Sequence, residues 1–254
     1  MKINIITILI CAFLLGCQKS NTEDLQRATA MSDYLKGEQY YLGDGVSKDK
    51  KKAALYFEKA AKGGLAIAQN DIAGMYFKGE NVEKDLSKAF HWFSKAAEQN
   101  NSAAQYNLAL MYAQGIFVPK SRSKAVEYYK LYSAQSFLNA QFNLANAYMN
   151  GDGVELNQEK AIELYQSASE LGFIMARYNL ANAYLDGRGI AKDEEKAFEL
   201  FEESAKDGLV EAQYNYAYML EHNYKNISQA KIWYQKALDS GFKRAKDDLD
   251  RLSE

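Results

Sequence analysis

The chain has 254 residues, and its 31 lysine and arginine residues nearly balance 33 aspartate and glutamate residues, giving a formal net charge of −2 at pH 7. Such a balance implies no basic surface for nucleic acid. With 48% hydrophobic residues, one proline and 19 tyrosines, the composition predicts a folded, helical protein with a substantial core.

The first predicted element is a secretory signal peptide at residues 1–16. Lys2 precedes an apolar run from Ile3 to Leu15, the order typical of such peptides. A membrane-spanning helix needs roughly 20 apolar residues, so this run is too short to predict a permanent span.

The end of this run, Leu14-Leu15-Gly16-Cys17, resembles the lipobox of bacterial lipoproteins. The resemblance implies cleavage before Cys17, attachment of lipid such as palmitate to its thiol, and a membrane anchor. Because Gln18 rather than Asp follows, comparison with enterobacterial lipoproteins favours the outer membrane, with the protein facing the periplasm. The alternative is an ordinary signal peptide cut nearby. Residues 17–23 then form the lipidated cysteine and a polar tether, and residues 24–254 the folded domain.

The folded domain repeats itself every 36 residues, which is a strong indication of a repeat architecture. The recurring glycines are Gly43, Gly79, Gly115, Gly151 and Gly187. The recurring alanines are Ala68, Ala104, Ala140, Ala176 and Ala212. The spacing predicts about six units, the last of which is three residues short.

Each unit is predicted to contain two helices. The first ends at a Tyr-x-x-Gly sequence, in which glycine adopts the left-handed conformation of a helix C-cap. The second begins after a residue suited to N-capping; these residues are Asp49, Asp85, Ser121, Asn157 and Asp193. We expect Thr22–Gln39 and Phe242–Leu252 to form polar helices that cover the two ends.

These features resemble the Sel-one-like repeat, a longer relative of the tetratricopeptide repeat. The fifth unit shows the pattern well, with Ala176-Arg177-Tyr178-Asn179-Leu180 followed by Gly187-Arg188-Gly189-Ile190 and Lys196-Ala197. The resemblance covers about residues 30–250. It implies an all-α fold, an α/α superhelical solenoid of TPR-like helix-turn-helix repeats, whose inner surface binds protein or peptide.

Enzymatic and metal chemistry are the weaker interpretations. Ser47-Lys48-Asp49-Lys50 and Ser121-Arg122-Ser123-Lys124 match the Ser-x-x-Lys motif of penicillin-binding enzymes. However, Ser121 occupies a repeated N-cap position, and no Ser-Asp-Asn or Lys-Thr-Gly accompanies it. His91 and His222 have no neighbours at metal-ligand spacing, so we expect no metal and no cofactor.

The predicted binding groove consists of residues that follow the recurring alanine by three, six or ten positions, which helical spacing turns away from the core. Side-chain amides both donate and accept hydrogen bonds, so a row of them could pair with an extended peptide. The candidates are Asn107, Asn143, Asn146, Asn150, Asn179, Asn182, Asp186, Asn215 and Tyr218. The alternative is that the recurrent asparagines at 107, 143, 179 and 215 bond to an adjacent helix.

The sequence therefore predicts a non-catalytic scaffold of the bacterial cell envelope that binds an unidentified protein or peptide. Two alternatives are an immunity lipoprotein against a periplasm-acting toxin, which an adjacent toxin gene would favour, and a cell-wall or β-lactam hydrolase. No nucleic-acid partner is expected.

Overall fold

A computed structural model describes residues 5–133 and 138–253, with side chains described from residue 22 onward except that of Ser133. The described residues form helices and connecting turns. The chain divides by its internal packing into two compact units, residues 1–121 and 122–254, which we call unit 1 and unit 2. Each 36-residue pair of helices is called a repeat from here on. This arrangement confirms the predicted all-α class.

The described residues of unit 1 form five helices, each packed on the next in the chain. They are α1 (Ile5–Leu42), α2 (Lys50–Lys62), α3 (Ala66–Lys78), α4 (Leu86–Glu98) and α5 (Ser102–Gln114). Unit 2 contains α6 (Arg122–Ser133), α7 (Leu138–Asn150), α8 (Gln158–Glu170), α9 (Ile174–Asp186), α10 (Glu194–Lys206), α11 (Val210–His222), α12 (Ile227–Asp239) and α13 (Ala245–Arg251). Short turns join consecutive helices, as in other helical hairpin repeats.

The recurring alanines allow the helices to approach closely. All five alanines of the first helices are fully buried, as are their counterparts in the second helices except Ala125, which is 2% exposed. A larger side chain at these positions would separate the helix axes, because protein cores are close-packed. The smallest side chains therefore recur where the helices are nearest to each other.

The same loop geometry recurs with the period of the sequence. In five repeats the backbone N–H at the N-cap position donates to the carbonyl of the tyrosine nine residues earlier, at 2.9 to 3.0 Å. In the short sixth repeat Asn226 N–H donates to Leu220 C=O at 2.7 Å, and the Asn226 side chain caps α12. The loop thus keeps its closing bond although it is three residues shorter.

The predicted caps are confirmed where their geometry is described. Asp49, Asp85, Asn157 and Asp193 each accept a hydrogen bond from the backbone N–H three residues later. The left-handed glycines are confirmed too; Gly79, Gly115 and Gly187 end α3, α5 and α9 with φ of 73°, 73° and 68°. Ser121 lies immediately before α6, as predicted.

The two ends differ from the prediction. The last helix begins at Ala245 rather than Phe242. The centre of the Phe242 ring lies 4.7 Å from that of Tyr214, and the chain turns before α13. At the other end α1 continues to Leu42, and residues 17–23, the predicted tether, fall within its range. The Cys17 side chain and residues 1–4 of the predicted signal peptide lie outside the described residues, so lipidation stays a prediction. Among the residues that the structure describes, no helix is sufficiently long and apolar to span a membrane.

Candidate functional site

Five of the nine predicted groove residues surround one cavity in unit 2. The cavity has a volume of about 300 Å³ and lies between α7, α8, α9 and the loop that follows α9. The predicted residues at its wall are Asn146, Asn150, Asn179, Asn182 and Asp186, and the other lining residues are Met149, Tyr165, Ala183 and Arg188. We call this cavity the amide site.

A buried tyrosine holds two of these amides in place. The Tyr165 hydroxyl donates to Asn146 Oδ1, and Asn179 Nδ2 donates to the same oxygen at 3.0 Å and to Tyr165 Oη at 3.3 Å. Tyr165 is 2% exposed, and its burial raises the pKa of the phenol, which keeps the hydroxyl a donor at neutral pH. Asn146 and Asn179 are therefore part of an internal network as well as the cavity wall.

Asn150 and Asn182 are less committed to internal contacts. Asn150 Nδ2 donates to the carbonyl of Asn146 at 2.9 Å, and Asn182 Nδ2 donates to that of Tyr178 at 3.0 Å, each one turn back on its own helix. An amide carries two donor hydrogens and an oxygen with two lone pairs. These local bonds orient the two side chains and leave them hydrogen-bonding capacity for a ligand.

Arg188 is a member of the amide site that the sequence analysis missed. Its guanidinium donates to Asn150 Oδ1 at 3.3 Å and to the Met149 carbonyl at 3.4 Å. Both bonds are long, and among the described residues Arg188 forms no salt bridge, although a guanidinium has five N–H donors. The repeat itself held a signal, because the equivalent loop positions are occupied by Asp44, Glu80, Ile116 and Asp152.

A second cavity, of about 330 Å³, adjoins the amide site through Asn182, which lines both. Two more predicted residues, Asn215 and Tyr218, lie at its wall beside Arg244. Asn215 Nδ2 donates to the Tyr178 hydroxyl at 3.2 Å, and Tyr218 is 46% exposed. Seven of the nine predicted residues are thus gathered at two neighbouring cavities of unit 2.

The remaining two predicted residues lie elsewhere. Asn107, in unit 1, lines a separate cavity and donates to Asn70 Oδ1 at 3.3 Å. Asn143 is half-buried on α7 and lines none of these three cavities. Since Asn107, Asn179 and Asn215 each bond to a neighbouring helix, the alternative interpretation of the recurrent asparagines describes their contacts at these three positions.

The residues considered for catalysis or metal binding lie at repeat positions or in ring contacts that account for them without a catalytic or metal-binding role. Ser121 and Lys124 lie at the start of α6, as the repeat pattern indicates. His222 stacks on Tyr218 with 4.1 Å between ring centres, while His91 contacts Trp92. No group of three or more potential metal ligands occurs among the residues that the structure describes.

Comparison with known proteins identifies the repeat. A model described as the Sel1 repeat matches six segments: 34–65, 66–101, 102–136, 138–173, 174–209 and 210–242. No curated protein matches the chain.

Among solved structures, the chain is similar to c5321, a protective antigen of uropathogenic Escherichia coli with an SLR fold, at 29% identity and a TM-score of 0.80. The match covers 88% of this chain and 48% of that one, so the chain spans about half the length of c5321. It is also similar to a Sel1 repeat protein from Oxalobacter formigenes, at 29% identity and a TM-score of 0.70, with 83% of this chain and 88% of that one covered.

Proposed function

Because this chain belongs to the Sel1 repeat family, as its sequence pattern predicted, we propose that it is a non-catalytic scaffold that binds an extended segment of a partner protein at the amide site of unit 2. Sel1 repeat proteins are generally protein-interaction scaffolds. The finer assignment, to this site and to an extended peptide, rests on the cavity that the asparagines line.

The composition of the amide site carries the proposal. Four amides, a carboxylate and a guanidinium meet at one cavity of about 300 Å³. Peptide main chain offers one donor and one acceptor per residue, and side-chain amides match both. An extended segment could therefore exchange hydrogen bonds with Asn150 and Asn182 without adopting a particular sequence.

The guanidinium adds a preference for charge. Arg188 is exposed and has no anionic partner among the described residues, whereas a carboxylate would accept two parallel N–H bonds from it. We therefore expect an acidic side chain or a C-terminal carboxylate of the partner to lie against Arg188. This carboxylate would lie away from Asp186, which lines the same cavity and would repel it.

We propose binding and not catalysis as the role because amides make up most of the polar groups that line the cavity. Burial keeps Tyr165 protonated, and the amides have no nucleophilic or acid–base chemistry near neutral pH. The hydrolase alternative predicts turnover of nitrocefin that Ser121→Ala abolishes. Detecting such turnover would contradict a non-catalytic role.

We place this scaffold in the cell envelope, on the support of the lipobox-like sequence that ends at Cys17. A partner that meets the anchored protein there would be an envelope protein or a protein that enters the periplasm. The protein should therefore be used as bait in an envelope extract, with recovered proteins identified by mass spectrometry.

The recovered partner then allows a direct test of the amide site. Changing Asn150, Asn182 and Arg188 together to Ala should leave the fold intact, since none of these side chains is buried and alanine is the better helix former at positions 150 and 182. Each lost hydrogen bond is worth roughly 0.5 to 1.5 kcal/mol, so the triple variant should bind at least about tenfold more weakly. Asn146 is left unchanged because it accepts the buried Tyr165 hydroxyl.

The matched control changes three residues of α8 that line neither cavity, Glu159, Glu163 and Gln166, to Ala. This variant should bind like the wild type. If the control variant loses the partner while the amide-site variant keeps it, recognition lies on another face and the proposal is wrong.

A further inference from the structure

Unit 1 contains a different cavity, larger than the amide site, which the sequence analysis did not anticipate. Its volume is about 560 Å³. One wall contains Gly74, on α3, and a Cβ atom placed there would meet nothing within 4 Å. The equivalent positions of the later repeats are occupied by Leu110, Asn146, Asn182 and Tyr218. The cavity is therefore open at a position where the later repeats have a side chain.

Aromatic rings form one part of the wall of this cavity. The rings of Tyr34 and Tyr41 lie 5.4 and 6.3 Å from that of Phe57, while Phe77 meets Phe93 edge to face at 6.5 Å. All five side chains line the cavity. Aromatic faces carry negative electrostatic potential and attract cations, most strongly where water is partly excluded.

Two carboxylates line the same cavity without a salt bridge, while Lys78, at the same wall, lies near Glu80 and lowers the pKa of that carboxyl. Asp71 accepts hydrogen bonds from the Tyr34 hydroxyl at 3.0 Å and from Asn70 Nδ2 at 3.2 Å. Burial raises the pKa of Asp71, and the negative charge of Glu38 raises it further. Neither Asp71 nor Glu38 forms a salt bridge among the described residues, whereas Glu80, at the cavity rim, is already paired with Lys50 at 2.7 Å. A bound cation would relieve the repulsion between these two carboxylates, neither of which has a salt bridge.

We propose that this cavity binds a lysine side chain of a peptide segment. The aliphatic stem of lysine suits the aromatic wall, and its ammonium can lie over a tyrosine ring beside Asp71 and Glu38. The chain makes such contacts within itself: Lys50 lies 4.9 Å from the centre of the Tyr41 ring, and Lys88 lies 4.9 Å from that of Tyr76. This inference extends the proposed scaffold function to a second site with the opposite charge preference.

The experiment uses the full chain and a nine-residue Gly-Ser peptide, acetylated and amidated, with one central lysine. The matched probe replaces that lysine with norleucine, which keeps the stem and removes the charge. Binding is followed by changes in the NMR signals of unit 1 during titration. The lysine peptide should shift these signals and bind about tenfold more tightly than the norleucine peptide.

Two variants locate the binding. Gly74→Leu places in the cavity the side chain found at the equivalent position 110, and should weaken binding of the lysine peptide at least tenfold. Asp71→Asn keeps the shape and removes the charge, although its amide nitrogen can accept neither of the two hydrogen bonds, so one of them is reversed or lost. It should weaken binding as well if the ammonium lies beside the carboxylate. Glu163→Ala, on α8 of unit 2 and at the wall of none of the three cavities, is the control and should bind the lysine peptide like the wild type.

Three results would overturn the inference: equal binding of the two peptides, binding unchanged in Gly74→Leu and Asp71→Asn, or no shift in unit 1 at millimolar peptide. These outcomes are separate from the test of the amide site, which uses the recovered partner and variants of unit 2. The loss of either site would leave the result for the other unaffected.

Discussion

Gly189→Ala should destabilise the protein more than the same change at Gly45, although the two glycines are equivalent in the repeat. Both have a left-handed backbone, with φ of 73° and 68°. A Cβ at Gly189 would lie 2.6 Å from the carbonyl carbon and oxygen of Gln158, at the start of α8. At Gly45 it would meet nothing within 4 Å. The first position therefore combines backbone strain with a collision, and the second has strain alone.

The expected magnitudes follow from these two terms. An alanine in the left-handed region costs about 1 kcal/mol at either position. Forcing backbone atoms apart at Gly189 adds about 2 kcal/mol, typical of an overpacked contact. For a protein of this size, 1 kcal/mol corresponds to about 3 °C. Gly189→Ala should thus lower the melting temperature by about 9 °C and Gly45→Ala by about 3 °C.

Thermal unfolding followed by circular dichroism measures both variants under identical conditions. The Gly189 change should also weaken partner binding, because the same loop places Arg188 at the amide site. Equal melting temperatures for the two variants would show that the close approach to Gln158 does not limit this position. The second glycine of the loop would then not be needed for packing between successive repeats.

Three further outcomes are expected. Cys17→Ser should abolish labelling by a palmitate analogue, since a hydroxyl cannot replace the thiol in the thioether; labelling equal to wild type would rule out the anchor. Truncation before Phe242 should lower the melting temperature and promote aggregation, because Trp233 and Tyr214 belong to the core that Phe242 covers; an unchanged melting temperature would contradict this. Arg251 donates to the buried Glu221 at 2.6 and 2.9 Å and holds the pKa of Glu221 below 4.5. This stabilisation exists above about pH 4.5 and is lost as the pH falls through the lowered pKa. Arg251→Ala should therefore lower the free energy of unfolding more at pH 7 than at pH 3. Equal losses at the two pH values would exclude this contribution of the Arg251–Glu221 pair.

The repeat architecture could be predicted because its signals are local. An N-cap such as Asp193 and a C-cap such as Gly187 depend on hydrogen bonds within a few residues, and both recur with the period. Burial of Ala176 and its equivalents follows from the same period. The sixth repeat shows that even a deletion preserves the pattern, with Asn226 taking the capping position.

The amide site was only partly predictable because its contacts join side chains from different repeats. Helical spacing identified Asn182 as a surface residue, but it could not show that Tyr165 would hold Asn146 and Asn179. Arg188 enters the site from a loop, where periodicity gives no direction for a side chain. The unit 1 cavity depends on the missing side chain of Gly74, and its significance appears only once the neighbouring rings are placed.

Photo-crosslinking in envelope extract shows whether unit 2 binds a protein segment at the amide site. A photoreactive amino acid is incorporated in place of Asn182, which lines both cavities of unit 2, or in place of Gln166 on α8, which lines neither. The account predicts one strong crosslinked partner from position 182, lost when Asn150 and Arg188 are also changed to Ala, and none from position 166. Crosslinking of that partner from position 166 with none from position 182 would contradict it.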